Sequence, residues 1–600
     1  MTAPAPMQSG WLDKGKRVWL LLLAIWLETV LVSLFLHRHN ITLLDFSDPD
    51  DAMRLVQVRD FLAGQSWFDV SQHRANPPLG GPMHWSRLVD LPIAALILLL
   101  RPLAGLHGAE VGAALIVPAL TLAALIAALF WATRPLIGRA GALVCCILLA
   151  ISPTILVQFS VMRIDHHGWQ IVMTALMLGG ALHPNARRGG LIAGLAMAMW
   201  LHISSEGLPL AALTGGVLAL RYGADKQEWP RVASYIWALV LGSAVLLLTT
   251  HGWAASLISY CDAISPVYLA PLALVPVAMT AGRLLLGDRT AVRRLLPIGL
   301  AAGIAAILFV TTGKQCLAGP FSTLDPLLYE FWYKGVLEGL PVWMQERSLA
   351  ATIILPSLLG LGGLALAFFA ETDPLRRRDW LTLLLLSVGA AAVSILVMRA
   401  MSMAHLLALP GNAWLLMALY RRVDGLDSAV KRVPAALALA CLSPIGLSFA
   451  AAQLLSNRAE EPEQAGAFRP EEIERLNAIA PTTLFAPVDI SPDILMRTRH
   501  AIIGTGHHRN MVGMKLVIGA FLAPPEKARA IVLQSAATHL LIAPDTGETN
   551  RYRQAQPHGL AAQLLEGRTP YWLTPVSVPG MQVLRLYRID RTAASPLKRP

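Results

Sequence analysis

The chain has 600 residues, of which 55% are hydrophobic and only 14% charged, against about 25% charged in soluble domains. A mean hydropathy of +0.54 agrees, and together these exclude a disordered chain, a coiled coil and an ordinary cytosolic enzyme. Forty-nine Lys and Arg against 38 Asp and Glu leave +11, an excess that a membrane protein places in cytoplasmic loops rather than on nucleic acid, and five Cys are too few for a disulfide scaffold.

The first apolar run, 18–36, is followed by His37-Arg38-His39. It is too long for a signal-peptide core and no small-residue cleavage site follows, so a retained first span is expected. Further apolar runs fall at roughly 110–133, 141–157, 168–182, 189–203, 208–220, 232–250, 267–286, 296–312, 349–370, 380–398, 403–420 and 434–454. A crossing takes about 20 residues. The run 91–106 holds Arg101, and a central Arg costs about 2.5–3.5 kcal/mol on insertion. With this run lying in the interface, the loops with Arg134/Arg139, Arg187/Arg188, Arg221/Lys226/Arg231, Arg289/Arg293/Arg294, Arg376/Arg377/Arg378 and Arg421/Arg422/Lys431/Arg432 share one side with Lys14, Lys16 and Arg17. The positive-inside rule selects that arrangement. It predicts a polytopic α-helical protein of about 13 transmembrane helices, with the N-terminus cytoplasmic and the C-terminus outside.

Segments 37–90 (37–109 with the interfacial run), 158–167 and 313–348 then lie outside. The linker 456–470 is polar, and beyond it the pattern becomes soluble α/β. Helices are expected near 470–479, 511–521 and 525–535, and strands at Thr483–Phe485, 500–503 and His539–Ile542. Val583–Tyr587 alternates like an edge strand. The expected domains are a membrane domain, 1–455, and an external α/β domain, 456–600. No internal repeat or low-complexity tract is visible.

Outer loops should be poor in Arg, yet 37–90 carries Arg38, Arg54, Arg59, Arg74 and Arg87 beside seven Asp. An anionic lipid-linked substrate is one reason for retaining such charge; solvated ion pairs are the other. Ser47-Asp48-Pro49-Asp50-Asp51 reads as a helix start, with Asp48 as N-cap, Pro49 at the first position and acids in the first turn. Capping explains one acid but not three within four residues. In the second loop, Arg163-Ile164-Asp165-His166-His167 sets a carboxylate beside imidazoles, a pattern for a divalent cation or a proton-transfer site, or for ordinary interfacial polarity. The third loop is aromatic and ends in Gln345-Glu346-Arg347. Glu346 is the third candidate acid. Arg399 ends a late span near His405, where it either snorkels or holds a phosphate.

These residues resemble the catalytic subunits of oligosaccharyltransferases, within the GT-C class of membrane glycosyltransferases. The likeness covers roughly 18–455. It rests on Asp48-Pro49 with Arg54, on Trp67-Phe68-Asp69 and Pro78-Leu79-Gly80-Gly81, on Asp165-His166-His167, on Glu346 and on Arg399. Two features depart from the family. The second loop has His167 where a carboxylate is usual, and the Trp-Trp-Asp signature that reads an asparagine sequon is absent, Tyr571-Trp572 being the nearest pair.

The resemblance implies the GT-C fold, a sugar carried on a polyprenyl phosphate or pyrophosphate, and transfer with inversion on the outer side of the membrane. It implies Asp48, Asp165 and Glu346 as catalytic residues, with Asp48 the base. Arg54, Arg399 and His166 are assigned to the substrate and its phosphates. A Mg²⁺ or Mn²⁺ would be held by Asp48, Asp165, His167 and Glu346. The acceptor, whether glycan, lipid or protein, is left open; no nucleic acid is expected. A bacterial inner membrane with a periplasmic C-terminal domain is the expected location. A polyprenyl-linked polysaccharide polymerase or ligase, or a lipid-linked glycan transporter, are the competing readings. Gly504-Thr505-Gly506-His507-His508-Arg509-Asn510, between a strand and a helix, suits anion binding or acceptor recognition, or is a His-rich surface turn. Glu28, inside the first span, is expected to face the bundle. Cys261 and Cys316 both fall outside and can pair if that compartment is oxidising.

Overall fold

The computed structural model describes residues 15–319, 321, 324–455, 470–544 and 546–593. Lys14 and, apart from Pro470, the polar linker lie outside these residues. The chain forms two compact units. One comprises Met1–Arg38, Gly112–Ser322 and Leu337–Ser456, the other His39–Val111, Thr323–Val336 and Asn457–Pro600.

The first unit is helical. Among the described residues, eight helices of the chain are long and apolar enough to cross a membrane, or nine when the bent pair Ala429–Cys441 and Pro444–Leu455 is one span. The chain is an integral membrane protein. Thirteen apolar runs and eight such helices differ for three physical reasons, the bend in that last pair being one. Arg87–Ala150 is one 64-residue stretch, about 96 Å at 1.5 Å per residue, or roughly three times a hydrocarbon core. It contains Gly105 and Gly138 at φ 69° and 72°, a region open to glycine that interrupts a helix. The helices His167–Ala181 and Leu208–Ala224 have only 15 and 17 residues, too short to count as spans, and the 18-residue helix Ala186–Ile203 opens with Arg187 and Arg188, which leave it too polar.

Small residues let two of the late helices touch. A Cβ on Gly411 would meet the Gly360 carbonyl at 2.1 Å, and one on Gly363 the Gly411 carbonyl at 2.1 Å. Arg347–Ala370 and Met401–Asp424 therefore pack backbone to backbone, as membrane helices do where no hydrophobic force joins them. His405 lies in the same contact. Its Nδ1 is 2.6 Å from Thr154 Oγ1 and its Nε2 3.0 Å from the Ile353 carbonyl, which makes it a satisfied core histidine. Glu28 is exposed on the helix Gly15–Leu36, not turned inward.

Several arginines of the positive-inside count also have structural partners. Arg221 lies 3.1 Å from Glu228 and 3.0 Å from Asp379, while Arg231 lies 2.6 Å from Glu228 and donates to the Gly180 carbonyl at 2.8 Å. Buried charges persist when paired in this way.

The second unit holds a five-stranded sheet. Its strands are β1 (Thr483–Phe485), β2 (Ala501–Ile502), β3 (His539–Ile542), β4 (Leu573–Val576) and β5 (Arg585–Ile589), in the order β2-β1-β3-β5-β4. The first three are parallel; β5 and β4 are antiparallel. The expected edge strand at Val583–Tyr587 thus starts two residues later and lies inside the sheet. The edge is β4, whose Pro575 suits an edge position. The other edge, β2, is covered by the first loop: Ile502 N–H donates to the Arg74 carbonyl at 2.8 Å and Asn76 N–H to the Ile502 carbonyl at 2.7 Å. Arg74 adds bonds to the carbonyls of Leu495 and Thr498 at 2.7 and 2.9 Å. Loop 39–111 is therefore built onto the C-terminal sheet.

Cys261 and Cys316 form a disulfide; Cys145, Cys146 and Cys441 are free. Maleimide labelling of denatured, unreduced protein should modify three cysteines, and all five after reduction. Five labelled before reduction would contradict the pairing.

Candidate functional site

Chain entry into the helix His167–Ala181 sets the first group of side chains. Asp165 accepts from the His167 backbone N–H at 3.0 Å, so its carboxylate fixes the turn that begins the helix. Asp165, His166 and His167 are all buried, and the two imidazole rings lie 4.4 Å apart. Arg163 Nη2 lies 2.9 Å from Asp165 Oδ2. His167 Nε2 is 3.7 Å from the same oxygen and 3.8 Å from Glu338.

Arg399 extends this into a network. It sits in the 3-10 turn Met398–Ala400, between the helices Pro374–Leu396 and Met401–Asp424. Its Nη1 donates to Glu206, and its Nη2 lies 2.8 Å from Glu338. Glu206 sits in the short turn Ser205–Gly207, where Gln170 reaches it at 3.4 Å. Helix ends far apart in sequence thus bring three carboxylates, two imidazoles and two guanidiniums together.

The electrostatics follow. Burial pushes the Asp165 carboxyl up, but Arg163, His167 and His166 outweigh it and hold it below the usual carboxylate range. Burial likewise raises Glu206, and Arg399 with the two imidazoles overrides it, down to about 2. Burial lowers His167; Asp165, Glu338 and Glu206 more than compensate and raise it. The site is a lattice of alternating charge, each member depending on its neighbours.

Asp165, His166 and His167 offer ligand atoms that all lie within 4.8 Å of one another. This set fits a divalent ion. Its mixed nitrogen and oxygen donors suit a transition metal such as Mn²⁺ or Zn²⁺ better than Mg²⁺, which keeps to oxygen and water. His166, read from sequence as a substrate contact, joins the possible metal ligands here.

Asp48 and Arg54 belong to the second unit. Asp48 caps the helix Pro49–Leu62, with Oδ1 accepting from Asp50 N–H at 2.9 Å, and Pro49 opens it. Arg54 is fully buried. It donates to Asp90 at 2.9 Å and lies 4.3 Å over the Trp85 ring, while Gln57 and Arg87 hold the same Asp90 at 2.7 and 3.2 Å. Asp90 takes Nη1, whereas Nε and Nη2 of Arg54 are buried without a hydrogen bond among the described residues. Glu346 stands at the N-cap of the helix Arg347–Ala370, exposed, accepting from Ser348 Oγ at 2.6 Å. The network contains Glu338 instead, eight residues earlier. The sequence reading missed Glu206 and Glu338. Glu206 is the lone acid between the apolar runs 189–203 and 208–220, but only its contact with Arg399, 193 residues away, marks it for the network. Of the pair Tyr571-Trp572, Trp572 is buried in the core of the second unit and Tyr571 is exposed.

Comparison with solved structures gives the fold. The archaeal oligosaccharyltransferase AglB from Archaeoglobus fulgidus, in complex with an inhibitory peptide and a dolichol-phosphate, superposes with a TM-score of 0.63 at 15% identity, covering 98% of this chain and 75% of that one. The apo form of the Archaeoglobus fulgidus oligosaccharyltransferase gives 0.65 at 14% identity, covering 90% and 72%. Its complex with Zn and sulfate gives 0.56 at 14%, covering 90% and 70%. No protein-family model and no curated protein matches the sequence. The fold is that of the GT-C oligosaccharyltransferases.

Arg399 bridges two carboxylates, so Arg399→Ala should lower stability at pH 7 by about 1.5–3 kcal/mol, the range for hydrogen bonds to charged groups. Because Glu206 is depressed, its contribution is present above its ordinary pKa of 4.5 and lost as pH falls toward about 2. The melting deficit of the variant in detergent should therefore shrink between pH 7 and about pH 3. An equal deficit at both would contradict the pairing.

Proposed function

We propose that this protein is an inverting membrane glycosyltransferase that moves a sugar or oligosaccharide from a polyprenyl (pyro)phosphate to an acceptor on the outer side of the membrane. The observation that carries the reading is the buried group Asp165-His166-His167 joined through Glu338 to Arg399 and Glu206. A transporter needs charge or broken helices at mid-membrane; here the acids cluster where helices end, as chemistry on a lipid headgroup requires. The fold is that of enzymes whose solved forms hold a dolichol-phosphate, or Zn and sulfate. The Cys261–Cys316 disulfide supports an oxidising outer compartment for the loops that carry it, in keeping with a periplasmic face.

The acceptor X–H gives its proton to the Asp48 carboxylate while X bonds to the anomeric carbon. The bond from that carbon to the phosphate oxygen breaks, and the phosphate leaves with the electron pair. Arg399 and Arg163 meet the growing negative charge. Arg399 is pre-positioned between Glu206 and Glu338, and a donor phosphate displaces one carboxylate from it. Asp165, His166 and His167 would hold a divalent ion, whose chemistry is to neutralise charge on the leaving phosphate. The acceptor is not assigned to an asparagine sequon, since the residues that would read one are absent.

Purified protein with extracted lipid-linked donor tests this. Asp48→Asn and Asp165→Asn should abolish transfer, Glu338→Gln should slow it roughly 10²-fold, the scale of one lost electrostatic group, and Glu346→Gln should leave it near wild type. Full activity in the Asp165 variant would overturn the site. In cells lacking the protein, one lipid-linked sugar species should accumulate; an unchanged lipid profile would overturn the function.

A further inference from the structure

The helical unit carries an apolar groove that the proposed reaction does not use. It lies between the helices Ala186–Ile203 and Trp229–Ser256, the second of which belongs to a stretch long and apolar enough to cross a membrane. Small residues bring the two backbones together. A Cβ on Gly190 would meet the Arg231 carbonyl at 2.1 Å, one on Gly194 the Tyr235 carbonyl at 2.4 Å, and one on Gly242 the Ala198 Cβ at 2.9 Å. These contacts advance together along both segments, so the helices run parallel.

The seam of this contact is the floor of the groove, where Ala198, Ala238 and Gly242 present no long side chain. Leu191 and Leu195 line it from one helix, Leu241 and Val245 from the other. Each pair is one turn apart on its helix, and all four are exposed. Trp237 also lines it, and its Nε1 donates to Thr280 Oγ1 at 3.3 Å, so a third helix, Pro266–Leu286, holds that ring. The space enclosed is about 670 Å³.

One lining group is charged. Arg187 is exposed at the mouth and makes no ion pair among the described residues. Arg221, Arg231 and Arg378, expected on the same side of the membrane, all hold Glu228 instead. From Arg187 to Met199, the far end of the lining on that helix, the rise is about 18 Å, close to the ~15 Å of one leaflet's hydrocarbon. Glu206 follows the opposite end of the same helix, whose 18 residues rise about 27 Å. The charged mouth is therefore about one hydrocarbon core away from the Arg399 network.

We propose that this groove binds a bilayer phospholipid with an anionic headgroup, its phosphate on Arg187 and one acyl chain along the floor, in the leaflet opposite the Arg399 network. A guanidinium is suited to a phosphate, and the apolar walls below it suit a chain and not a free anion. A partner helix would need a face running the whole thickness of the membrane, whereas this groove ends after one leaflet.

The test is native mass spectrometry of delipidated, full-length protein in detergent, with phosphatidylglycerol or phosphatidylcholine added at equal concentration. Wild type should retain one phosphatidylglycerol per chain in preference to phosphatidylcholine. Arg187→Gln should weaken that retention about five-fold, the scale of one cation at a membrane surface, while Arg187→Lys and Arg399→Gln should keep it. Leu241→Trp, which fills the groove from an exposed position, should also lower it with Arg187 intact. Unchanged retention in either the Arg187→Gln or the Leu241→Trp variant would overturn the proposal, as would equal retention of the two lipids by wild type. Displacement by an equimolar polyprenyl phosphate would assign the groove to that carrier and overturn it as well. The readout is phospholipid binding, so it stands or falls separately from glycosyl transfer.

Discussion

A guanidinium shared between two carboxylates organises the helical unit's functional end. Arg399 touches Glu206 and Glu338, Glu338 faces His167, and His167 faces Asp165. Half-buried charge is tolerated only when each member has an opposite partner. This single requirement draws together the turn before Met401–Asp424, the turn before Leu208–Ala224, the loop after residue 336 and the start of His167–Ala181. The backbone contacts of Gly360, Gly363 and Gly411 lock two of the supporting helices.

The second unit solves a different problem. A loop of some seventy residues between membrane helices would be hard to keep ordered by itself. Here it lies along the open edge of a small sheet, donating and accepting through Arg74 and Asn76. That pairing protects an edge strand and fixes Asp48's helix relative to loop 504–510. Buried polar pairs such as Arg54–Asp90, with Trp85 against the guanidinium, lie among buried apolar side chains such as Met53, Leu55, Val56 and Ile93.

Much of this was legible in the residues. The apolar runs gave the membrane character, Asp48-Pro49 gave a capped helix, and Thr483–Phe485 and His539–Ile542 gave strands. The breaks at Gly105 and Gly138 agree with separate apolar runs over 91–157, whereas the short helices His167–Ala181 and Leu208–Ala224 are where the count of spans departs. Glu346 illustrates the harder limit. An acid beside a membrane helix looks the same in sequence whether it enters a network or, as here, bonds to Ser348. Glu338 and Glu206 were hidden because their selection depends on where Arg399 falls, a contact spanning 193 residues in the case of Glu206. Arg54, read from its motif as a phosphate contact, also holds Asp90, 36 residues away. Long-range pairing of charge is what periodicity and local motif cannot reveal.

The central claim is that this charge network receives the phosphate of a lipid-linked sugar. Its most direct test is native mass spectrometry of the purified protein with a polyprenyl phosphate, comparing wild type with Arg399→Gln. The account requires the wild type to retain one lipid per chain and the variant to lose it; equal retention by both would contradict it.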